Sequence, residues 1–180
     1  MKNFVLTGFM GTGKTTVGKL IAKKLNRPFF DTDEMIEKQL ETSISEIFKK
    51  VGEKTFREYE IQVVSVLSNV EDSVISCGGG LVLNKNNITS LRKNGIIINL
   101  YASAQHILNR IGEDDNRPII KKMLHPFDEI KKLLIQRKVA YDNCDLTINT
   151  EGLTPEQVAE KIFSNSAVNE ILKFEKKNEI

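Results

Sequence analysis

The sequence has little of several features that mark whole classes of protein. Its two cysteines, Cys77 and Cys144, are far apart and form no Cys-x-x-Cys pair, and only two histidines, His106 and His125, could assist them. We therefore expect neither a disulfide nor a zinc site. No apolar run approaches the ~20 residues that a membrane-spanning helix needs.

Neither sign of charge dominates, because 26 lysines and arginines face 24 aspartates and glutamates and the net charge is +2. No broad positive field therefore suggests nucleic acid as a partner. The first residues enter a short apolar run directly and lack the hydrophobic region of an export signal. We expect a cytoplasmic monomer that binds neither nucleic acid nor membranes.

The length of 180 residues, with 40% apolar and 28% charged residues, is that of one globular domain. β-rich runs at 4–7, 28–31, 73–76, 96–101 and 145–149 alternate with segments of helical period, one of which has a predicted break at Gly52. This alternation predicts an α/β fold with a parallel sheet, helices on both faces and ligands at the carboxyl ends of the strands. We expect one domain at 1–164 and, at 165–180, a C-terminal extension that is a frayed helix or resembles a tag.

The segment Gly-Phe-Met-Gly-Thr-Gly-Lys-Thr at 8–15 fits the phosphate-loop pattern G-x-x-x-x-G-K-[ST] at every defined position. It follows a predicted strand and opens a predicted helix, which is the context that the pattern requires. Backbone N–H groups of such a loop surround the β-phosphate, its lysine reaches the β- and γ-oxygens, and its hydroxyl binds Mg²⁺. The predicted ATP-binding residues are Gly11, Thr12, Gly13, Lys14, Thr15 and Thr16.

The loop does not identify the acceptor of the phosphoryl group, since GTPases, motor ATPases and small kinases all use it. A GTPase would need a guanine-reading Asn-Lys-x-Asp segment, and Asn-Lys-Asn-Asn at 84–87 lacks the acid. The rest of the chain must therefore indicate the acceptor.

Two carboxylates follow the second predicted strand. Asp31 and Asp33 are separated by one residue, so their side chains point to the same face of an extended chain. One could serve magnesium, and the other could accept the proton of a hydroxyl nucleophile and orient it toward the γ-phosphate. The alternative is that both acids only favour the dipole at a helix N-terminus.

Two further features suit a carboxylated substrate. Arg57 and Glu60 are neighbours on one helical face, so Glu60 could hold Arg57 as a bidentate clamp, although an exposed ion pair is the commoner meaning of this spacing. The three glycines at 78–80 indicate close approach of the backbone to substrate, or else a tight turn. Cys77, just before them, is predicted to be a small buried filler.

A polar segment at about 112–124 is predicted to be a lid. Arg117 precedes Pro118, which restricts its backbone. Closure would exclude water and bring Arg117 to the charge on the transferring phosphoryl group, whereas a solvated loop is the alternative. Arg137 and Tyr141 share a face of a later helix, a spacing that by itself says little.

Taken together, these blocks resemble the shikimate kinase family from about residue 3 to residue 163. The matching segments are Gly-Phe-Met-Gly-Thr-Gly-Lys-Thr-Thr-x-Gly at 8–18, Asp-Thr-Asp at 31–33, Phe-Arg-x-x-Glu at 56–60, Gly-Gly-Gly at 78–80, Arg-Pro at 117–118 and Arg-x-x-x-Tyr at 137–141. Cys77, Cys144 and the isoleucines at 119–120 depart mildly from common family residues and remove no functional group.

The resemblance implies a three-layer α/β/α P-loop kinase fold with a five-stranded parallel sheet of order 2-3-1-4-5, a short lid and a substrate-binding region at about 32–60. It implies phosphorylation of the 3-hydroxyl of shikimate by MgATP, a step of chorismate and aromatic amino acid biosynthesis. Shikimate would be held by Asp33, Arg57, Gly78, Gly79, Gly80 and Arg137, with Asp33 as base or orienting group. Thr15 and, through water, Asp31 would attend Mg²⁺; Lys14 and Arg117 would stabilise the phosphoryl group; Arg110 and Pro155 would flank adenine.

Two other functions are weighed against this one. A gluconate-type sugar-acid kinase is disfavoured by the pair Arg57 and Arg137, and a nucleotide-binding switch without transfer is disfavoured by Asp33, Lys14 and Arg117.

Overall fold

A five-stranded parallel sheet organises the part of the chain that the structure, a computed structural model, describes: residues 1–112 and 124–177. The strands are β1 (Asn3–Thr7), β2 (Phe29–Asp31), β3 (Val74–Ser76), β4 (Gly95–Tyr101) and β5 (Leu146–Asn149). Their order is β2-β3-β1-β4-β5, and every pairing is parallel. The predicted sheet and its order are confirmed, and each predicted strand differs from the observed one by one residue at its start.

Helices cover both faces of this sheet. They are α1 (Lys14–Leu25), α2 (Thr32–Leu40), α3 (Ile44–Leu67), α4 (Lys85–Lys93), α5 (Ala104–Gly112), α6 (Pro126–Tyr141), α7 (Pro155–Ser164) and α8 (Ser166–Lys177). Helix α3 bends at Gly52, whose φ of 76° and ψ of 174° belong to a region that essentially only glycine adopts, so the predicted break is confirmed. The lid predicted at 112–124, with Arg117, lies outside the described residues except at its two ends. Within the described ranges no helix is both long enough and apolar enough to span a bilayer.

Side chains cap the starts of several helices, among them α2, α3 and α7. Asp31 caps α2 by accepting from the backbone of Asp33 and Glu34. Helix α7 begins with a full capping box between Thr154 and Gln157. At α3, Ser43 caps the helix by accepting from the backbone N–H of Glu46. The Glu46 side chain pairs with Lys49, and Glu37 accepts from the backbone N–H of Ile44.

The sheet separates two apolar layers because successive strand side chains point to opposite faces. In β1, Val5 packs in the layer beneath α2 to α6, whereas Phe4 and Leu6 pack in the layer beneath α1, α7 and α8. The same alternation in β4 sends Ile97 to the first layer and Ile98 to the second. This burial fixes the strands, and it thereby brings the ends of β1, β2 and β3 to one edge.

Helix α8 occupies most of the predicted extension. Val168 is fully buried in the second layer, and Ile171 and Leu172 are half-buried against the same cluster. The start of this helix therefore belongs to the packed protein, and the division of the chain at residue 164 stays a prediction.

We expect Val168→Ala to lower the free energy of unfolding by about 2 kcal/mol, because two buried methyl groups are lost from a packed layer. The exposed Glu170→Ala on the same helix is the control and should change stability by less than about 0.5 kcal/mol. Urea unfolding would measure both. Equal midpoints for Val168→Ala and the unmutated protein would contradict the packing of α8.

Candidate active site

The loop between β1 and α1 is shaped for an anion. Gly13, with φ 94°, is the N-cap of helix α1 and provides no side-chain cap, so the first N–H groups of the helix stay available to an anion in the loop. The carbonyl of Phe9 accepts from Thr12 Oγ1 at 2.7 Å and from Lys14 Nζ at 2.9 Å. These bonds hold the ammonium group over the loop, where it can reach a bound phosphate.

Asp31 connects this loop to the second strand. Its Oδ2 accepts from Thr15 Oγ1 at 2.8 Å, and its Oδ1 accepts from the backbone N–H of Asp33 at 3.0 Å. Ser76 Oγ lies 3.5 Å from Thr15 Oγ1. Asp31 thus caps helix α2 and is also a neighbour of the hydroxyl that the phosphate-loop pattern assigns to Mg²⁺, so it does more than favour a helix dipole.

The three glycines after β3 leave space for two charged side chains. A Cβ on Gly78 would lie 2.3 Å from Asp33 Oδ1, and a Cβ on Gly80 would lie 2.3 Å from Arg57 Nη1. The N–H of Gly78 donates to Thr32 Oγ1 at 2.8 Å. Close approach of protein side chains therefore accounts for Gly78 and Gly80, and it sets a carboxylate and a guanidinium along residues 78–80, the glycine strip. The predicted approach of this backbone to substrate stays a prediction.

Arg57 is held by two carboxylates. Its Nη1 donates to Glu60 Oε1 at 2.8 Å, and its Nη2 donates to Glu53 Oε1 at 2.7 Å. The side chain of Glu60 is 1% exposed, so the pair predicted from spacing is not an ordinary surface ion pair. The guanidinium is fixed on the strip by a buried partner.

Burial changes the acidity of the carboxyl groups around Arg57. Burial and the neighbouring Asp31 raise the pKa of Asp33 to about 6, although Lys14 opposes this. Burial raises the pKa of Glu60 to about 7 against the lowering effect of Arg57. Glu60 Oε2 is buried and has no hydrogen-bond partner among the described residues, which agrees with a carboxyl group that retains a proton more readily than usual.

One cavity of about 410 Å³ brings most of the predicted residues together. Its lining includes the predicted residues Gly11, Thr12, Gly13, Lys14, Thr15, Thr16, Asp31, Asp33, Gly79, Arg110 and Pro155. Arg110 closes one side, since it donates to the carbonyl of Thr150 at 2.7 Å and to that of Gly11 at 3.4 Å. The site extends beyond this cavity. Asp33, which lines the cavity, lies beside Gly78, and Arg57 lies beside Gly80.

Arg137 and Tyr141 reach the same region from α6. The Arg137 guanidinium lies 5.8 Å from the centre of the Phe9 ring, and the Tyr141 hydroxyl donates to the carbonyl of Gly79 at 2.6 Å. Burial raises the pKa of Tyr141 against the lowering effects of Arg137 and Arg57, so both guanidinium groups are near its phenol. The structure therefore brings Arg57 and Arg137 to one end of the glycine strip.

Cys77 is buried beside the site, and burial raises the pKa of its thiol. A thiol held protonated in an apolar layer is a poor nucleophile. This agrees with its prediction as a filler.

Sequence reasoning missed several residues that shape the site. Glu53 could have been found, because it precedes Arg57 by four residues on one helix. Thr32, Ser76 and Thr150 gave no local signal, since their partners in the site come from distant segments.

A phosphate loop on the first strand of a 2-3-1-4-5 parallel sheet, with an acid at the end of the second strand, defines a P-loop kinase. The family model for shikimate kinase matches residues 10–167. The chain is 52% identical to the shikimate kinase of Caldicellulosiruptor bescii over 164 residues, which are 91% of this chain and 95% of that one. It is 49% identical to the shikimate kinase of Thermodesulfovibrio yellowstonii, over 91% and 94% of the two chains.

Solved structures agree with these relatives. The shikimate kinase from Acinetobacter baumannii in complex with shikimate superposes with a TM-score of 0.85 at 35% identity, over 91% of each chain. The chain belongs to the shikimate kinase family.

We expect Glu60→Gln to flatten the pH dependence of stability. The folded protein holds the Glu60 proton up to a pKa of about 7, compared with a usual value of 4.5, so the free energy of unfolding should fall as pH rises through that interval. The share of this fall due to Glu60 should be about 1–3 kcal/mol and should be absent from the variant. Urea unfolding across the interval measures it, and identical pH slopes for the two proteins would show that Glu60 is ionised normally.

Proposed function

We propose that the chain transfers the γ-phosphoryl group of ATP to the 3-hydroxyl of shikimate and releases shikimate 3-phosphate and ADP. The observation that supports this proposal is that the Asp33 carboxylate lines the cavity of the phosphate loop and lies beside Gly78, while the Arg57 guanidinium lies beside Gly80. A substrate with a carboxylate at one end and a hydroxyl at the other would span these groups. The relatives of this chain that are named shikimate kinase support the choice of shikimate as that substrate.

ATP would occupy the cavity of about 410 Å³ with its phosphates on the loop of residues 11–16. The uncapped start of α1 and the ammonium group of Lys14 supply the positive field that phosphates require. Adenine would lie between Arg110 and Pro155, which also line this cavity.

Magnesium suits the oxygen atoms of this cavity. Thr15 Oγ1 and the Asp31 carboxylate are hard oxygen donors in contact with each other, and Mg²⁺ prefers such donors together with phosphate and water. Thr15 would bind the ion directly and Asp31 would bind it through water. When bound, the ion would neutralise charge on the β- and γ-phosphates.

Shikimate would be held by Asp33, by Gly78, Gly79 and Gly80, and by Arg57 and Arg137, which would bind its carboxylate. Asp33 would hold the 3-hydroxyl in line with the γ-phosphorus, and it would receive the hydroxyl proton as the new oxygen–phosphorus bond forms and the bond to ADP breaks. A pKa of about 6 suits this exchange, because the group is mostly ionised at neutral pH and is a stronger base than an exposed aspartate.

The remaining features of the proposal depend on the family and on residues outside the described ranges. Arg117, from the predicted lid at 112–124, would stabilise the transferring phosphoryl group together with Lys14. We further propose a cytoplasmic monomer of one kinase domain at 1–164, acting in chorismate and aromatic amino acid biosynthesis.

ADP release, coupled to a spectroscopic assay, tests the proposal directly. We expect turnover with MgATP and shikimate, and quinate and gluconate, two other hydroxylated carboxylic acids, are the controls for the choice of substrate. Turnover with gluconate instead would favour a sugar-acid kinase, and ATP binding without any product would favour a nucleotide-binding switch.

We expect Asp33→Asn to reduce kcat with shikimate by about 10²-fold or more, since the amide cannot accept the hydroxyl proton. ATP affinity, measured by calorimetry, should stay within about threefold, because the phosphate loop keeps its contacts. Unchanged kcat in this variant would remove Asp33 from the reaction.

A further inference from the structure

Arg57 binds two glutamates that differ sharply in their surroundings. The Glu60 side chain is 1% exposed, whereas the Glu53 side chain is 61% exposed. Each contacts a different terminal nitrogen of the guanidinium, at 2.8 Å and 2.7 Å respectively. One positive charge thus faces two carboxylates before any substrate is considered.

A substrate carboxylate would be a third carboxylate that binds the same guanidinium. A guanidinium offers two edges for a bidentate carboxylate, Nε with Nη2 and Nη1 with Nη2, and both edges include Nη2. Nη2 of Arg57 is the nitrogen that Glu53 contacts. While that contact lasts, a bidentate substrate carboxylate must share Nη2 with Glu53 and lie beside its negative charge.

Of the two glutamates, only Glu53 can leave at small cost. Releasing Glu60 would strand a buried carboxyl group whose second oxygen already lacks a partner among the described residues. Releasing Glu53 breaks an ion pair whose carboxylate is already mostly exposed to water. Exposed ion pairs of this kind contribute little to stability. Arg57 itself stays in place, because Gly80 and Glu60 still enclose it.

We propose that Glu53 is an internal competitor for the substrate carboxylate, one that substrate displaces from Arg57. This inference rests on the proposed function of the same site. Glu53 occupies Arg57 until an acid replaces it, so it weakens the binding of every ligand that needs this arginine.

Shikimate binding to the full chain, measured by calorimetry with Glu53→Gln, tests this competition. Removing an exposed pair of this strength should lower the Kd for shikimate about two- to fivefold. The matched control is Glu58→Gln, which removes the same charge from an exposed position of the same helix and contacts Arg57 in no hydrogen bond or ion pair of the described residues. Its Kd should equal that of the unmutated protein.

Salt concentration distinguishes competition from a general change of structure. The ratio of the two Kd values, unmutated protein to Glu53→Gln, should approach one near 1 M salt, where exposed charges are screened. A structural perturbation would persist at every salt concentration.

Three results would overturn the inference. A higher Kd in Glu53→Gln would mean that Glu53 orients Arg57 for substrate, and a Kd equal to that of Glu58→Gln would mean that it does not compete. In either case binding by the unmutated protein leaves the proposed function standing. Absence of shikimate binding by the unmutated protein would remove the proposed function and this inference with it.

Discussion

The hydrogen bonds that the Asp31 carboxylate accepts are the interactions on which the rest of the site depends. One oxygen receives the Thr15 hydroxyl from the start of α1, and the other caps the start of α2. This double contact is possible because β1 and β2 run parallel on either side of β3, so their carboxyl ends meet at one edge. The cap orients the first turn of α2, and that turn carries Asp33 toward the glycine strip.

Like charges are concentrated at this edge, and the carboxyl groups of Asp33 and Glu60 hold their protons more tightly there than exposed carboxyl groups do. Burial and Asp31 raise the pKa of Asp33, and burial, with a smaller contribution from Asp33, raises the pKa of Glu60. A carboxyl group that is partly protonated repels an anionic ligand less than an ionised one. The site can therefore enclose several acids and still receive substrates that are themselves anions.

Much of the fold and part of the site could be predicted from the sequence because the signals are local. The phosphate-loop pattern, the β-rich runs and the Gly52 break depend on residues within a few positions of one another. The contacts of Gly78 with Asp33 and of Tyr141 with Gly79 join segments far apart in the chain, so no spacing rule reveals them. Helix α8 was uncertain for another reason: its apolar residues are few, and only the neighbouring layer shows that Val168 is buried. Spacing suggested Arg57 as a clamp for a carboxylate, whereas the choice of Asp33 as the acid that accepts the proton and the role of Arg137 came from a family resemblance; all three roles stay proposals.

The sheet separates the two apolar layers, so residues in one layer can be substituted independently of residues in the other. Among the described residues, the buried side chains beneath α1, α7 and α8 form one cluster and those beneath α2 to α6 form another, so substitutions on opposite faces should combine additively while those within a layer should interact. The nucleotide helix α1 rests on one layer, and α2 and α3, which carry Asp33 and Arg57, rest on the other. The apolar residues that pack beneath α1 can therefore change during evolution while those that pack beneath α2 and α3 stay the same.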